Sequence, residues 1–162
     1  MNIMELDNTT VIGLEKDKVD NLVVGMNNLL ANYQVYYQNL RGLHWNIKGR
    51  NFFELHTKFE EFYTDSQEKI DMVAERILTL GGKPLHTFKD YIEISQVPVG
   101  ENVCGDEEAV ALVVKSLSEL LKIERLLLNE SADVNDEGTN AMMSDFISEQ
   151  EKTVWMLNAW LQ

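Results

Sequence analysis

Two of the three histidines in this sequence lie close together in the chain, at His44 and His56. Further on, Asp71 and Glu75 are four residues apart, so on a helix both carboxylates would lie on one face. Imidazole nitrogen and carboxylate oxygen are donors that suit iron, manganese or zinc. These four residues therefore form a candidate ligand set for a transition metal, whereas His86 stands in a loop-like stretch with no assigned chemistry.

Each of these residues also has a plain structural interpretation. A histidine near a helix end is often a cap or a satisfied core group, and an Asp/Glu pair on a helix is usually part of a solvated face. A di-iron centre inside a single helical bundle normally needs two Glu-x-x-His motifs, and the sequence contains none. A metal site of that intrachain kind is therefore disfavoured.

Hydrophobic spacing predicts the helices that must position these groups. Apolar residues recur at three- and four-residue intervals, and both prolines fall within residues 83–105, which we interpret as a long crossover. Gly81 and Gly82 end the second helix, and Asp106 is the expected N-cap of the third. The predicted helices cover about residues 17–43, 52–80, 106–134 and 139–160, with a brief helix at 89–94 in the crossover.

Short links within each pair of helices, and one long link between the pairs, are the connectivity of ferritin-like bundles. We therefore expect an all-α, ferritin-like four-helix bundle with a long crossover that carries a short helix. The 162 residues fit a single domain, residues 1–162, with a short N-terminal tail at about 1–16.

The spacing of the candidate ligands along the second helix points to a shared site. His56 and Asp71 are fifteen residues apart, which is about 22 Å along a straight helix but only about 60° of rotation around it. They cannot bind the same metal within one chain. If two copies of this helix pack antiparallel about a point near Thr64 or Asp65, His56 of each copy faces Asp71 and Glu75 of the other, as a two-fold interface requires. His44 would then lie beside His56.

Composition limits the remaining classes of function. The single cysteine, Cys104, cannot form an internal disulfide, and the sequence has neither a signal peptide pattern nor an apolar run long enough for a membrane span. A reducing, cytoplasmic location without membrane association is expected. The net charge of −13 opposes binding to phosphate backbones and favours attraction of metal cations.

The same residues carry a close resemblance to the Dps family, the DNA-binding proteins from starved cells, which are ferritin-like mini-ferritins. The resemblance extends through the four-helix layout over nearly the whole chain. It is carried by His44-Trp45-Asn46-x-x-Gly49, Asn51-Phe52, His56, Asp71-x-x-Ala74-Glu75-Arg76 and Gly81-Gly82-x-Pro84-Leu85.

This resemblance implies an iron storage and detoxification protein. Members form a hollow dodecamer in which Fe(II) is oxidised at inter-subunit ferroxidase sites, preferably with hydrogen peroxide, and ferric mineral is stored inside, which protects against oxidative stress. By position, His44 and His56 come from one subunit and Asp71 and Glu75 from its neighbour, with Zn²⁺ or Mn²⁺ as other metals for the same site. Glu60 stands where the family usually has an aspartate, one methylene shorter.

The sequence has counterparts of the acidic pore residues of the family but not of its lysine-rich tail. Acidic residues in the family line three-fold pores for iron entry, and the resemblance places Asp133, Asp136, Glu137 and Asp145 there. Family members commonly bind DNA through a lysine-rich tail, but here the first eighteen residues contain only Lys16 and Lys18 among several acidic residues. We therefore expect weak or no DNA binding. The alternative function is a dodecameric metal-binding or nucleoid-associated structural protein with little oxidase activity.

Overall fold

The structure is a computed structural model that describes residues 7–162, and in this range the chain is built from α-helices without any strand. Four long helices form the bundle, and two short ones precede and interrupt it. The helices are α1 (Asn8–Val11), α2 (Lys16–Asn46), α3 (Phe52–Thr79), α4 (Phe88–Ile94), α5 (Asp106–Asp133) and α6 (Glu137–Trp160). The predicted all-α bundle with one long crossover is confirmed.

The long helices pack as two antiparallel pairs, α2 with α3 and α5 with α6, and α2 also packs along α5. Each pair is joined by a short turn, which forces its helices to run in opposite directions. The buried stripe predicted along α2 forms the centre of the core, where Leu22, Met26, Leu29 and Leu40 have essentially no exposed surface. None of the helices between residues 7 and 162 combines the length and apolar character that crossing a membrane requires.

Two asparagines on α2 hold the crossover against the bundle. The buried Asn32 accepts hydrogen bonds through Oδ1 from the main-chain nitrogens of Gln96, at 2.8 Å, and Val97, at 3.1 Å. Two turns later, Asn39 accepts from the nitrogen of Gly100 at 2.9 Å and donates to the carbonyl of Pro98 at 2.7 Å. These bonds satisfy main-chain groups of a segment that has no regular structure of its own.

The N-terminal tail predicted at about 1–16 needs correction in the part that the structure describes. From Asn8 the chain forms α1, in which Thr9 is buried and donates to the carbonyl of Leu80 at 3.2 Å. Asn8 donates to the carbonyl of Thr79 at 2.7 Å. The segment thus covers the C-terminal end of α3, where a helix leaves its last carbonyls unpaired. Residues 1–6 of the predicted tail lie outside the described residues.

The N-cap of α5 also differs from the prediction. Gly105 occupies the cap position, and Asp106 is the first helical residue. The Asp106 carboxylate accepts from Asn51 Nδ2 at 2.8 Å, across the gap to the start of α3. It is therefore used to join two helices rather than to cap one.

Candidate metal centre

The turn between α2 and α3 brings His44 and His56 together. The turn is anchored to the start of α5, because the nitrogen of Lys48 donates to the carbonyl of Cys104 at 3.0 Å. Gly49 has a φ of +126° and lies so close to Asp106 that an added Cβ would be 2.9 Å from the carboxylate oxygen. Only glycine tolerates both conditions. His44, in the last turn of α2, and His56, in the second turn of α3, consequently face each other.

The two imidazole rings are stacked, with centroids 3.8 Å apart and planes 17° apart. The Nδ1 atom of His44 lies 2.7 Å from the carbonyl oxygen of His56, and the Nδ1 atom of His56 lies 2.7 Å from the carbonyl oxygen of His44. A carbonyl oxygen can only accept, so each Nδ1 must carry a proton and donate it.

This pairing leaves the Nε2 atom of each histidine without a proton. In a neutral imidazole with its proton on Nδ1, the lone pair is on Nε2. Histidines that bind metals commonly have this arrangement, because the other ring nitrogen donates to a carbonyl or carboxylate. The carbonyl of His44 belongs to the last turn of α2, where such groups lack helical partners. The bond from His56 therefore also satisfies the end of the helix.

Aromatic neighbours fix the orientation of the histidine pair. Phe52 stacks on the other face of His56 at 5.0 Å between centroids, and the edge of Tyr63 meets His44 at 5.4 Å. Tyr63 is itself influenced by Glu60, one turn before it: desolvation first, and then the negative charge and proximity of Glu60, raise the pKa of Tyr63. The Glu60 carboxylate thus lies near Tyr63, on the exposed side of α3.

The carboxylate half of the candidate set lies at the other end of α3. Asp71 and Glu75 are both exposed, on the same face of the helix. They belong to one unbroken helix with His56, so the predicted separation of about 22 Å applies. Within residues 7–162, no three His, Cys, Asp or Glu side chains of one chain come together in a way that would hold a metal ion. Within one chain the histidine pair and the carboxylate pair are therefore separate.

The four residues placed at a pore by resemblance do not share one environment. Asp133, Glu137 and Asp145 are exposed near the turn from α5 to α6 and along α6. Asp136 is only 2% exposed, accepts from the nitrogen of Thr139 at 3.0 Å and is bound by the guanidinium of Arg76. Its carboxylate caps α6 and is compensated by the half-buried guanidinium of Arg76, while the pore role expected for Asp136 stays a prediction.

Sequence reasoning missed two neighbours of the histidine pair that helical spacing alone could have indicated. Tyr63 follows His56 by seven residues, which is two turns on the same face of α3. Arg41 lies four residues before Trp45 and four after Tyr37, and its guanidinium carbon is 4.7 Å and 5.4 Å from the centres of these rings. The exposed Trp45 is held in place by this contact.

Comparisons with known proteins agree with this architecture. Residues 24–162 match the family model for the ferritin-like domain. The solved DPS protein of Vibrio cholerae O1, described as a member of a broad superfamily of ferritin-like diiron-carboxylate proteins, has 51% sequence identity and a TM-score of 0.92, covering 94% of this chain and 96% of that one.

Two further relatives extend the comparison. A DNA protection during starvation protein of Porphyromonas gingivalis is 43% identical over 93% of this chain and 94% of its own length. The crystal structure of a Dps protein from Bacillus brevis has 34% identity and a TM-score of 0.88, with coverage of 92% of this chain and 100% of that one.

Proposed function

Since this chain belongs to the ferritin-like family, and within it to the Dps proteins, whose general role is iron storage and protection against oxidative stress, we propose that it is a ferroxidase with a site shared by two subunits. It oxidises Fe(II), preferably with hydrogen peroxide, and stores the ferric product as mineral inside a hollow shell of about twelve chains. Iron is substrate and cargo in this proposal.

The observation that carries the proposal is the histidine pair with its Nε2 lone pairs left for a metal and no third ligand on the same chain within the described residues. Asp71 and Glu75 supply the missing carboxylates if two α3 helices pack antiparallel. The exposed face of α3 carries both half-sites, so a single contact between copies completes two sites at once.

The donor set fits the chemistry of iron oxidation. Neutral imidazoles bind Fe(II), and the negative charges of Asp71 and Glu75 stabilise the additional positive charge of Fe(III). The exposed Glu60 carboxylate, one turn before Tyr63, does not group with the histidines within this chain and would have to turn toward them to add an oxygen donor. Hard carboxylate ligands thus favour the oxidised product over the reduced substrate. Zn²⁺ and Mn²⁺ suit the same donors and should compete for the site.

Anaerobic addition of Fe(II) to the purified protein, followed by peroxide, tests the proposal. Ferric absorbance should rise with peroxide faster than with dioxygen, and Zn²⁺ added beforehand should slow it. A His44→Ala/His56→Ala variant is the matched control and should respond slowly. Light scattering on the same samples should show a closed assembly of about twelve chains. A monomer at micromolar concentration, or equal rates in the variant, would contradict the proposal.

A further inference from the structure

A second group of polar side chains lies inside the bundle, away from the histidine pair. Tyr33 of α2, Glu124 of α5 and Gln150 of α6, which we call the interior network, are 1%, 0% and 5% exposed. Tyr33 donates its phenolic proton to Glu124 Oε1 at 2.7 Å. Gln150 Nε2 donates to the Tyr33 oxygen at 2.6 Å and to Glu124 Oε1 at 2.7 Å.

Glu124 is arranged to accept a proton from Tyr33. Its Oε1 receives two donors and therefore carries no proton, while Oε2 is buried without a hydrogen-bond partner among residues 7–162. Burial raises the pKa of Glu124 to about 7, against the opposing effect of the bonds from Tyr33 and Gln150. Near neutral pH this carboxyl group therefore exists in both protonation states.

Tyr33 cannot ionise by itself. Burial first, and then the negative charge of Glu124, raise the pKa of Tyr33 well above the usual value for a phenol. Its proton can leave only if an electron leaves as well, because oxidation makes a phenol strongly acidic. A phenol bonded to a buried carboxylate is thus suited to coupled loss of an electron and a proton.

The charged groups around the interior network come from every neighbouring helix. Tyr36 of α2 is buried beside it, and Asp65 and Lys69 approach from α3. Lys69 Nζ binds Asp65 at 2.5 Å and Glu149 of α6 at 2.7 Å, so its charge is largely compensated. Arg125 on α5 is exposed and forms an ion pair with Glu151 at the surface. The positive charges of Lys69 and Arg125 lower the pKa of Glu124, but by less than the hydrogen bonds from Tyr33 and Gln150 do.

Two tyrosines lie between the histidine pair and the interior network. The centre of the Tyr63 ring is 5.4 Å from that of His44, and the Tyr37 ring is 6.1 Å from that of Tyr63. Tyr37 and Tyr33 are four residues apart on α2, a spacing that puts their Cβ atoms about 5–6 Å from each other. The first two steps of this path are contacts between rings, and the last separates two residues by one turn of α2.

We propose that Tyr33, with Glu124 as its proton acceptor, is a redox-active residue that delivers one electron through Tyr37 and Tyr63 to an oxidant formed at the histidine pair. This inference rests on the proposed function, since peroxide and Fe(II) supply the oxidant. When peroxide takes a single electron from one Fe(II), it gives hydroxide and a hydroxyl radical. The electron from Tyr33 reduces that radical to a second hydroxide, the phenolic proton moves to Glu124 Oε1, and a neutral phenoxyl radical remains in the core.

Iron-free protein provides the first test. A photogenerated ruthenium(III) tris-bipyridyl oxidant is applied, and electron paramagnetic resonance on rapidly frozen samples measures the tyrosyl radical. Because Glu124 titrates near pH 7, its ionised fraction and hence the radical yield should fall by roughly tenfold from pH 8 to pH 6. A yield that is flat over this range in the folded wild-type protein would overturn the proposal.

Variants then locate the radical. Tyr33→Phe should abolish the long-lived signal, and Glu124→Gln, which keeps the size of the side chain but cannot accept the proton, should lower it at pH 8 to the level of Tyr33→Phe. Tyr91→Phe is the matched control, because Tyr91 is also buried but donates to the carbonyl of Leu85, at 3.0 Å, which cannot take a proton. An unchanged signal in Tyr33→Phe would overturn the assignment.

Fe(II) and peroxide provide the second test. The same radical should form in the wild type and be absent in Tyr33→Phe, while bulk Fe(II) oxidation continues in both. If iron is oxidised without a Tyr33 radical, the connection to the histidine pair is wrong although the proposed function stands. If iron is not oxidised at all but the photochemical radical forms, the proposed function fails, and with it the source of the oxidant.

Discussion

The guanidinium of Arg76 is bound to the buried carboxylate of Asp136, which joins the carboxylate end of α3 to the turn before α6. Arg76 follows Glu75 directly, and its Nε also donates to Thr139 Oγ1 at 3.0 Å. The backbone of Gly138 lies against this guanidinium, so an added Cβ would come within 2.7 Å of it. The absence of a side chain at this position is what allows the ion pair to form.

Gly138→Ala should therefore displace Arg76 from Asp136. We expect Gly138→Ala to lower the free energy of unfolding by about 1–2 kcal/mol. Arg76→Ala should lower it by roughly 3 kcal/mol, because it leaves the charge of Asp136 buried without compensation. Thermal unfolding at equal protein concentration measures both. Gly42→Ala is the matched control, since no neighbouring atom lies within 4 Å of its would-be Cβ, and a helical alanine should stabilise α2 by about 0.5–1 kcal/mol. Equal effects of the two glycine changes would contradict the steric explanation.

Glu124 should make the stability of the subunit depend on pH. Its pKa rises from the ordinary value of 4.5 to about 7 in the folded protein. The stability that the neutral carboxyl group contributes is therefore fully present below pH 4.5 and is lost as the pH rises through 7. The loss amounts to about 3 kcal/mol relative to a neutral side chain. Glu124→Gln should consequently unfold at a higher temperature than wild type at pH 8. At pH 4.5 the difference in unfolding free energy between the two proteins should be smaller by about 3 kcal/mol.

Glu130 provides the control for this pH dependence, because it lies on the same helix but is exposed. Glu130→Gln should shift the unfolding temperature equally at both pH values. If the difference between wild type and Glu124→Gln is the same at pH 4.5 and pH 8, the carboxyl group of Glu124 is ionised throughout and the assigned pKa is wrong.

DNA should not be retarded by this protein near neutral pH at moderate salt. The net charge of −13 and the acidic residues around Lys16 and Lys18 oppose the release of counterions that phosphate contacts require. A gel-mobility assay with linear duplex DNA measures this, and a variant with a lysine-rich N-terminal extension is the positive control. Retardation by the unmodified protein without added divalent metal would show that folding or assembly creates a basic surface.

Helical periodicity was sufficient to predict the bundle, because each long helix has one apolar stripe and the crossover contains both prolines. Helix α1 was missed since its four residues have no periodic pattern, and it is held by contacts with Thr79 and Leu80, about seventy positions away in the chain. The role of Asp106 was mistaken for a similar reason, as its partner Asn51 lies on another helix.

The candidate site was predictable in its ligand types but not in the contacts that prepare them. The spacing of His44 and His56 showed that both lie near one turn, yet the reciprocal hydrogen bonds depend on the path of residues 47–51, which α5 fixes from a distance. Asp136 was grouped with acidic pore residues by resemblance to the family, and no local pattern predicts that its carboxylate is buried. Its burial depends on the ion pair with Arg76, which lies sixty residues earlier in the chain, so no local sequence pattern relates the two residues.

Complementation between inactive subunits should test whether each half-site comes from a different chain. His44→Ala/His56→Ala removes the imidazole half, and Asp71→Ala/Glu75→Ala removes the carboxylate half, so either homogeneous shell should oxidise Fe(II) slowly. Both variants should fold, because Asp71 and Glu75 are exposed and the apolar core is unchanged. The first variant also loses the two reciprocal hydrogen bonds and the stacked rings, so its folding is verified by circular dichroism before mixing.

When the two variants are unfolded and refolded together, a mixed dimer has one site with all four ligands and one site with none. Random pairing makes about half of the dimers mixed, so about a quarter of all sites should be intact. Peroxide-dependent Fe(II) oxidation should recover to near that fraction of the wild-type rate, whereas each variant refolded alone remains slow. Mass spectrometry of the intact shells verifies that both chains are present. Mixed shells without recovered oxidation would mean that the imidazoles and carboxylates do not meet across a two-fold interface.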